Sequence, residues 1–157
     1  MRLIIVRHGI AVARRKWDGP DADRPLTPHG ARQAQALGTR LARYDPDEII
    51  SSPSLRCRQT VEPLAARTTT PVKKSKQLEL DAGPRAIDLI RRLVATRPPS
   101  STIILCTHRE VLVQGLPALA AEFGVALRHR PPGAKGSYWA VRFRGDRAVT
   151  IKYSRPS

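Results

Sequence analysis

The 157-residue sequence is poor in cysteine and aromatic residues, and it contains no long hydrophobic run. Cys57 and Cys106 are its two cysteines; they are too few for a disulfide framework, and their spacing is not that of a metal site. No apolar segment reaches the ~20 residues that cross a bilayer, and the apolar run 3–6 is too short for the core of a signal peptide. We therefore expect a cytoplasmic protein without a membrane partner, folded as a single domain over residues 1–157.

Acidic residues are also scarce, because 28 Lys and Arg face 13 Asp and Glu, which leaves a net charge of +15. A basic surface concentrates anions such as phosphate groups. The basic residues are dispersed along the chain, as in Arg14-Arg15-Lys16 and Lys73-Lys74, and no aromatic-interleaved nucleic-acid motif accompanies them. A nucleic-acid partner is therefore not expected, and we expect the positive charge to attract a phosphorylated substrate.

The role of Trp17 has two alternatives in the sequence: the side chain packs its own loop, or it stacks on a substrate base.

Strand-like and helix-like segments alternate along most of the chain. Strands are predicted over residues 3–6, 48–51, 71–76 and 102–106, and an antiparallel hairpin over 138–143 and 148–153. Thr27 and Ser52 look like N-caps that place Pro28 and Pro53 at the first positions of two helices. Further helices are predicted around 87–94 and over 110–123. Such an alternation predicts an α/β fold of three layers, with helices on both faces of a mostly parallel sheet.

Basic and imidazole side chains follow the strands at the edge where open α/β sheets bind ligands. Arg7 and His8 end the first strand, His108 follows the strand 102–106, and Arg56 lies near the start of the helix after Ser52-Pro53. Guanidinium groups are planar, permanently charged forks that match phosphate oxygens. A neutral imidazole beside them is a nucleophile for phosphorus, and nearby Arg charges would lower its pKa and favour the neutral form. Attack by His8 would give a phosphohistidine that water then hydrolyses.

These residues resemble the histidine phosphatase superfamily, which has the phosphoglycerate mutase-like fold. The resemblance rests on Arg7-His8-Gly9, on the segment from Ser52-Pro53 through Arg56 to Gln59-Thr60, and on Thr107-His108, which occur in the family's order. It implies that His8 is the nucleophile, that Arg7 and Arg56 bind the phosphate, and that His108 donates to the phosphate in the transition state. The sequence shows no metal-ligand constellation beyond the two site histidines, so we expect no metal and no cofactor.

The family also uses an acidic proton donor, often in a Glu-x-x-x-Gly setting that Glu79 to Gly83 matches. Glu79 is therefore the candidate general acid, with Asp81 as the alternative. A carboxyl group in this role needs a raised pKa. Compact members of the family could work without such a group when the leaving group is a phosphoramidate nitrogen.

Within the family, the segment Asp23-Arg24-Pro25-Leu26-Thr27 and the short span from Gly83 to His108 resemble SixA-type phosphohistidine phosphatases, which have no helical lid. Trp17-x-Gly19 and Lys135 to Trp139 also resemble the phosphatase module at the C-terminus of two-domain Nudix hydrolases. One departure is Arg109, which stands where the family usually has a small residue.

A site that no lid covers favours phosphohistidine on a protein or a nucleotide as substrate. The alternative is a catalytically idle module that binds phosphate groups on a partner.

Overall fold

The computed structural model describes residues 1–127 and 133–156. Their strands and helices alternate until the final hairpin, as expected. The elements are β1 (Arg2–Arg7), α1 (Pro28–Ala42), β2 (Glu48–Ser51), α2 (Leu55–Thr68), β3 (Val72–Lys74), α3 (Pro84–Thr96), β4 (Thr102–Thr107), α4 (Arg109–Glu122), β5 (Tyr138–Arg144) and β6 (Arg147–Ser154). Short 3₁₀ turns at Arg14–Lys16, Asp21–Asp23 and Lys76–Leu78 interrupt the loops.

The strands form one six-stranded sheet in the order β3-β2-β4-β1-β5-β6. The pairs β2–β3, β2–β4 and β1–β4 are parallel, whereas β5 runs antiparallel to both β1 and β6. The sheet is therefore mixed, and its parallel part holds the first four strands. The carboxyl ends of β1 and β4 meet at one edge, since Arg7 pairs with Thr107.

Two hydrophobic clusters cover the two faces of the sheet. Alternate residues of β1 point to opposite faces, so Leu3 and Ile5 join the cluster that includes α3 and α4, whereas Ile4 and Val6 join the cluster with α1 and α2. The helix–sheet–helix layering is thereby confirmed. Burial of apolar surface stabilises the fold by roughly 25 cal/mol per Å², and these two clusters pack the strands, whose ends carry the site, between the helices.

Several predicted boundaries differ from the structure for local reasons. The helix α2 begins at Leu55 with Ser54 as its N-cap, so Pro53 is not its first residue. The third strand is shorter than predicted because the chain turns into the 3₁₀ segment Lys76–Leu78. The helix α1 starts as expected, with Thr27 accepting a hydrogen bond from the Gly30 amide.

The span between Gly83 and His108 contains only α3 and β4, so no helical lid is inserted there. In residues 1–127 and 133–156, no helix is both long enough and apolar enough to cross a membrane.

Candidate active site

The strand-end prediction holds, because the structure brings His8, His108 and Arg56 together above the sheet. His8 follows β1 and His108 follows its neighbour β4, and their ring centroids lie 5.4 Å apart at an interplanar angle of 66°. Arg56, in the first turn of α2, reaches Nδ1 of His108 at 3.3 Å. All three side chains are buried. The site is therefore a compact cluster of two imidazoles and a guanidinium group.

The hydrogen bond of His8 defines which ring nitrogen is free. Its Nδ1 lies 2.8 Å from the carbonyl oxygen of Gly9; a carbonyl can only accept, so Nδ1 carries the proton. The other nitrogen, Nε2, then keeps its lone pair. Burial lowers the pKa of His8 to about 3, and electrostatic repulsion from the neighbouring His108, Arg56 and Arg7 acts in the same direction, against the Gly9 hydrogen bond. The predicted direction is confirmed, but burial is the larger cause.

This pKa leads to a testable titration behaviour. An ordinary histidine becomes protonated as the pH falls through about 6.5, whereas His8 should stay neutral until the pH approaches about 3. In a titration of ¹⁵N-histidine-labelled protein followed by NMR, the His8 nitrogens should therefore keep the shifts of the Nδ1–H tautomer from pH 8 down to pH ~4.5.

The lowered pKa of His8 also makes the free energy of unfolding depend on pH. The unfolded chain binds a proton at this position near pH 6.5 and the folded chain does not, so the His8 contribution lowers the free energy of unfolding as the pH falls from about 6.5 to about 3. A His8 resonance that moves through a midpoint near pH 6.5 would contradict the assignment.

Arg56 is held by two groups of Asp21. One terminal nitrogen, Nη1, donates to the Asp21 carbonyl oxygen at 2.7 Å, and the other, Nη2, lies 3.0 Å from the Asp21 carboxylate. Only 1% of the Arg56 side chain is exposed. A buried charge of this kind is costly unless it is paired, so Asp21 is its counter-ion.

His108 is oriented by both ring nitrogens. Because an arginine only donates, Nδ1 of His108 accepts from Arg56, and a neutral ring then carries its proton on Nε2. That nitrogen lies 3.0 Å from Oγ of Ser52 and 3.6 Å from Sγ of Cys57. Ser52 belongs to the segment that joins β2 to α2, so the motif around Arg56 also supplies the support of His108.

Arg7 is anchored by the segment that precedes β5. Its Nη1 donates to the carbonyl oxygen of Gly133. The Gly136 amide lies 3.2 Å and 3.1 Å from the carbonyl oxygens of Arg7 and His8. Gly136 has a φ of 78°, in the left-handed region that favours glycine. Burial lowers the pKa of Arg7, Glu110 opposes this effect and Arg109 adds to it, and a guanidinium group stays charged in this environment.

The remaining motif residues hold the loop that follows His8. Thr60 accepts from the Gly9 amide at 3.0 Å, and Gln59 accepts from the Leu26 amide at 2.8 Å. At Gly30, a Cβ atom would lie 2.0 Å from the Ile10 carbonyl oxygen, so only glycine permits this close approach of the loop to α1. Thr60, Gln59 and Gly30 therefore hold the loop that follows His8 against α1 and α2.

Two buried donors of the site have no acceptor within the described residues. They are the Nε–H groups of Arg7 and Arg56. Leaving a buried donor unpaired costs on the order of 1–3 kcal/mol, and a bound anion that accepts from such a donor would remove that cost. Together with the charges of the two guanidinium groups, this makes the site suited to an oxyanion such as phosphate.

The two candidate acids differ in their surroundings. Thr107 donates to the Leu78 carbonyl oxygen at 2.7 Å, which ties the chain before Glu79 to the end of β4. Glu79 is half-buried, whereas the Asp81 side chain is 78% exposed and lies 3.4 Å from Arg85. Of the two candidates, Glu79 is therefore the less solvated carboxyl group.

Sequence reasoning missed several residues of the site. Asp21 and Gly133 contact Arg56 and Arg7, which are distant in sequence, and no local pattern marks them; the Asp three residues before Arg24 was the one available signal. Ser52 belongs to the predicted motif, but its contact with His108 was not predicted. Trp17, left open above, packs its loop by donating to the Pro20 carbonyl oxygen at 2.9 Å. Arg109 is exposed and lies against Gly133.

Within the described residues, no group of three or more His, Cys, Asp and Glu side chains could hold a metal ion. Cys57 and Cys106 are both free and buried. Metal independence stays a prediction.

Known proteins resemble this chain in sequence and in fold. An 8-oxo-(d)GTP phosphatase of Mycolicibacterium smegmatis is 28% identical over 160 residues, an alignment that covers 98% of this chain and 48% of that protein. The chain therefore spans about half the length of this relative.

Two solved structures share the fold. The protein histidine phosphatase SixA in complex with tungstate superposes with a TM-score of 0.76 at 18% identity, covering 99% of this chain and 96% of that one. A putative phosphohistidine phosphatase SixA from Agrobacterium tumefaciens gives a TM-score of 0.73 at 22% identity, with 96% of each chain covered. The phosphoglycerate mutase-like, SixA-like fold predicted from the sequence is thereby confirmed.

A family model matches residues 3–84, which include Arg7, His8, Arg56 and the Gln59-Thr60 pair. This range carries both the nucleophile candidate and the guanidinium group that contacts His108. The chain therefore belongs to the histidine phosphatase superfamily, branch 1.

Proposed function

We propose that this protein is a metal-independent phosphatase that hydrolyses its substrate through a phosphohistidine on Nε2 of His8. The observation that carries the proposal is the pair of buried Nε–H donors of Arg7 and Arg56, which lack acceptors beside an imidazole whose Nε2 is free. A phosphoryl group is an acceptor of the right charge for both donors. The family membership supports the same reaction.

In the first step, the lone pair on Nε2 of His8 attacks phosphorus as the bond from phosphorus to the leaving-group oxygen breaks. The leaving oxygen takes the electron pair of that bond and a proton from an acid or from water. The hydrogen bond from Nδ1 to Gly9 persists through the step, so the ring keeps its orientation. The guanidinium groups stabilise charge on the three equatorial oxygens.

In the second step, water attacks the phosphorus of phosphohistidine, and the nitrogen–phosphorus bond breaks. His8 regains its lone pair, and inorganic phosphate leaves. Dividing one difficult displacement into two easier ones is the benefit of the covalent intermediate. In the first step the nucleophile is the neutral Nε2 of His8, whose lone pair is available without a metal; in the second step the nucleophile is water and Nε2 is the leaving atom.

The experiment that tests the function combines a rate with a trapped intermediate. After dialysis against EDTA, the protein should release phosphate from p-nitrophenyl phosphate, and vanadate should inhibit this competitively. Quenching with alkaline detergent during turnover of ³²P-labelled substrate should retain label on the protein, and acid should remove it. A protein that binds vanadate but neither turns over nor takes up label is instead an idle phosphate-binding module.

We infer that the substrate carries an accessible phosphoryl group on a protein histidine or on a small molecule such as a nucleotide. The absence of an inserted helix between Gly83 and His108 supports this class, because a lid would exclude a macromolecular phosphoryl donor. Similarity to an 8-oxo-(d)GTP phosphatase supports the nucleotide, and the SixA-like fold is compatible with the phosphohistidine. The cytoplasmic location stays a prediction.

The role of Glu79 predicts a dependence on the leaving group. If Glu79 protonates the leaving oxygen, Glu79→Gln should lower kcat on an alkyl phosphate by about 10²–10⁴-fold. The same variant should lose little on p-nitrophenyl phosphate, because nitrophenolate departs without a proton. The measurement is kcat on both substrates for the wild type and the variant.

Asp81→Asn tests the alternative acid in the same way, because it neutralises the exposed carboxylate of the same loop. Equal losses of Glu79→Gln on both substrates would instead assign Glu79 to phosphate binding or to structure. If neither variant loses activity, the acid is elsewhere, and Glu110, whose charge acts on Arg7, is the next residue to replace.

A further inference from the structure

We propose that Asp21 is a positioning residue that holds the Arg56 guanidinium in the orientation required for phosphate binding. This inference rests on the proposed function, and it concerns a residue for which the sequence motifs assign no role. Asp21 contacts Arg56 through its main-chain carbonyl oxygen at 2.7 Å and through its carboxylate at 3.0 Å. Two acceptors on one residue fix the plane of the guanidinium group, which a single acceptor could not do.

The donors that remain on Arg56 fit this role. Its Nη2 also donates to His108, so Asp21 and His108 together engage the terminal nitrogens. The Nε–H is left buried and without an acceptor in the described part of the chain. Asp21 therefore leaves this donor available to a phosphate oxygen while it neutralises a charge that would otherwise be buried alone.

Asp21 is itself held in place. Arg24 donates to its carboxylate at 2.9 Å and also donates to the Val12 carbonyl oxygen at 2.7 Å, and Arg14 lies 3.6 Å from the same carboxylate oxygen. The network extends from the loop after β1, through Asp21 and Arg56, to His108 and Ser52. Docking of this loop thereby sets the geometry of a residue that belongs to α2.

Asp21 is not suited to be the proton donor of the reaction. Burial raises its pKa, but the hydrogen bond from Arg24 and the charge of Arg56 outweigh burial, so the pKa lies below its usual value. The group is a carboxylate at working pH and acts through Arg56. This separates its expected mutational behaviour from that of a general acid.

The test compares Asp21→Ala with Asp21→Asn. The alanine variant removes the side-chain acceptor of Arg56, and a misplacement of this kind costs about 100-fold in kcat/KM. We expect that loss on both an alkyl phosphate and p-nitrophenyl phosphate, with a comparable rise in the inhibition constant of vanadate. The asparagine variant keeps an amide oxygen that can accept from Arg56, so it should recover most of the loss.

Asp23→Ala is the matched control, because Asp23 is an exposed carboxylate in the same 3₁₀ turn; it should leave kcat/KM and the vanadate constant unchanged. Thermal unfolding gives the folded fraction of each variant, and Asp21→Ser replaces Asp21→Ala if the latter does not fold. Wild-type kcat/KM and vanadate inhibition in the alanine or serine variant would overturn the proposal. A loss of kcat/KM that is confined to the alkyl phosphate and is also found in Asp21→Asn would overturn the proposal as well, because that pattern is typical of a general acid.

Failure of the proposed function remains distinguishable from failure of this inference. If the wild type releases no phosphate from any substrate, calorimetric binding of vanadate still compares the wild type with Asp21→Ala. Weaker binding by the variant then supports the positioning role in a protein that is not a phosphatase, and equal binding overturns it.

Discussion

His8→Ala should abolish turnover, with kcat at least about 10⁴-fold below that of the wild type. The variant lacks the one nitrogen lone pair that the site presents without a hydrogen-bond partner in the described residues, because Nδ1 of His8 is occupied by Gly9 and His108 is bonded through both nitrogens. No ³²P should remain on the variant after an alkaline quench. Steady-state rates and the trapping experiment measure the two effects separately.

The His8 variant should stay folded and should still bind phosphate analogues. Its main loss is the hydrogen bond to Gly9, worth on the order of 1 kcal/mol, while removal of a buried imidazole creates a cavity at the edge of the sheet rather than in its centre. Arg7 and Arg56 remain to bind vanadate. His29→Ala, at an exposed position of α1, is the matched control and should keep full activity. A His8→Ala protein that turns over substrate at a near-normal rate would refute the phosphohistidine mechanism.

Arg56→Lys should lower kcat/KM by about 10²–10³-fold, which corresponds to roughly 3–4 kcal/mol of transition-state stabilisation. The guanidinium group contacts Asp21 and His108 with its two terminal nitrogens and keeps Nε–H for the substrate. A lysine has one nitrogen at the end of a flexible chain, so it cannot make these contacts at once in a plane. The measurement is kcat/KM on p-nitrophenyl phosphate, corrected for the folded fraction.

Arg67→Lys provides the matched control for Arg56→Lys, because it makes the same chemical change in the last turn of the same helix, at an exposed position. It should leave kcat/KM unchanged. An Arg56→Lys protein with wild-type kcat/KM would place Arg56 outside the contacts that stabilise the transition state, and Arg7 would then be the remaining phosphate ligand.

Most of the fold was predictable because apolar strands and amphipathic helices alternate along the chain, and a local sequence pattern encodes each of them. Thr102–Thr107 is buried along its whole length, as expected for a central parallel strand whose two faces are both covered. The start of α2 was predicted two residues too early, because Ser52 looks like a cap in sequence but instead supports His108 from the end of β2. The edge strand β3 was predicted too long, since its lysines continue past the turn at Ser75 without any break in composition.

The sequence by itself determined which side chains reach the site edge. Parallel strands present their carboxyl ends together, so the residues after β1 and β4 had to be neighbours once the two apolar runs were paired. His8, His108 and the guanidinium groups follow from that rule and from the motif that carries Arg56.

Only the tertiary structure decided how those side chains are held. Asp21 is 35 residues from Arg56 in sequence, and Gly133 is 126 residues from Arg7. Such contacts depend on the path of irregular loops, whose conformation no hydrophobic periodicity encodes. A strand's end position is set by the sheet, whereas the counter-ion of a buried arginine is whichever carboxylate the folded loop brings within reach.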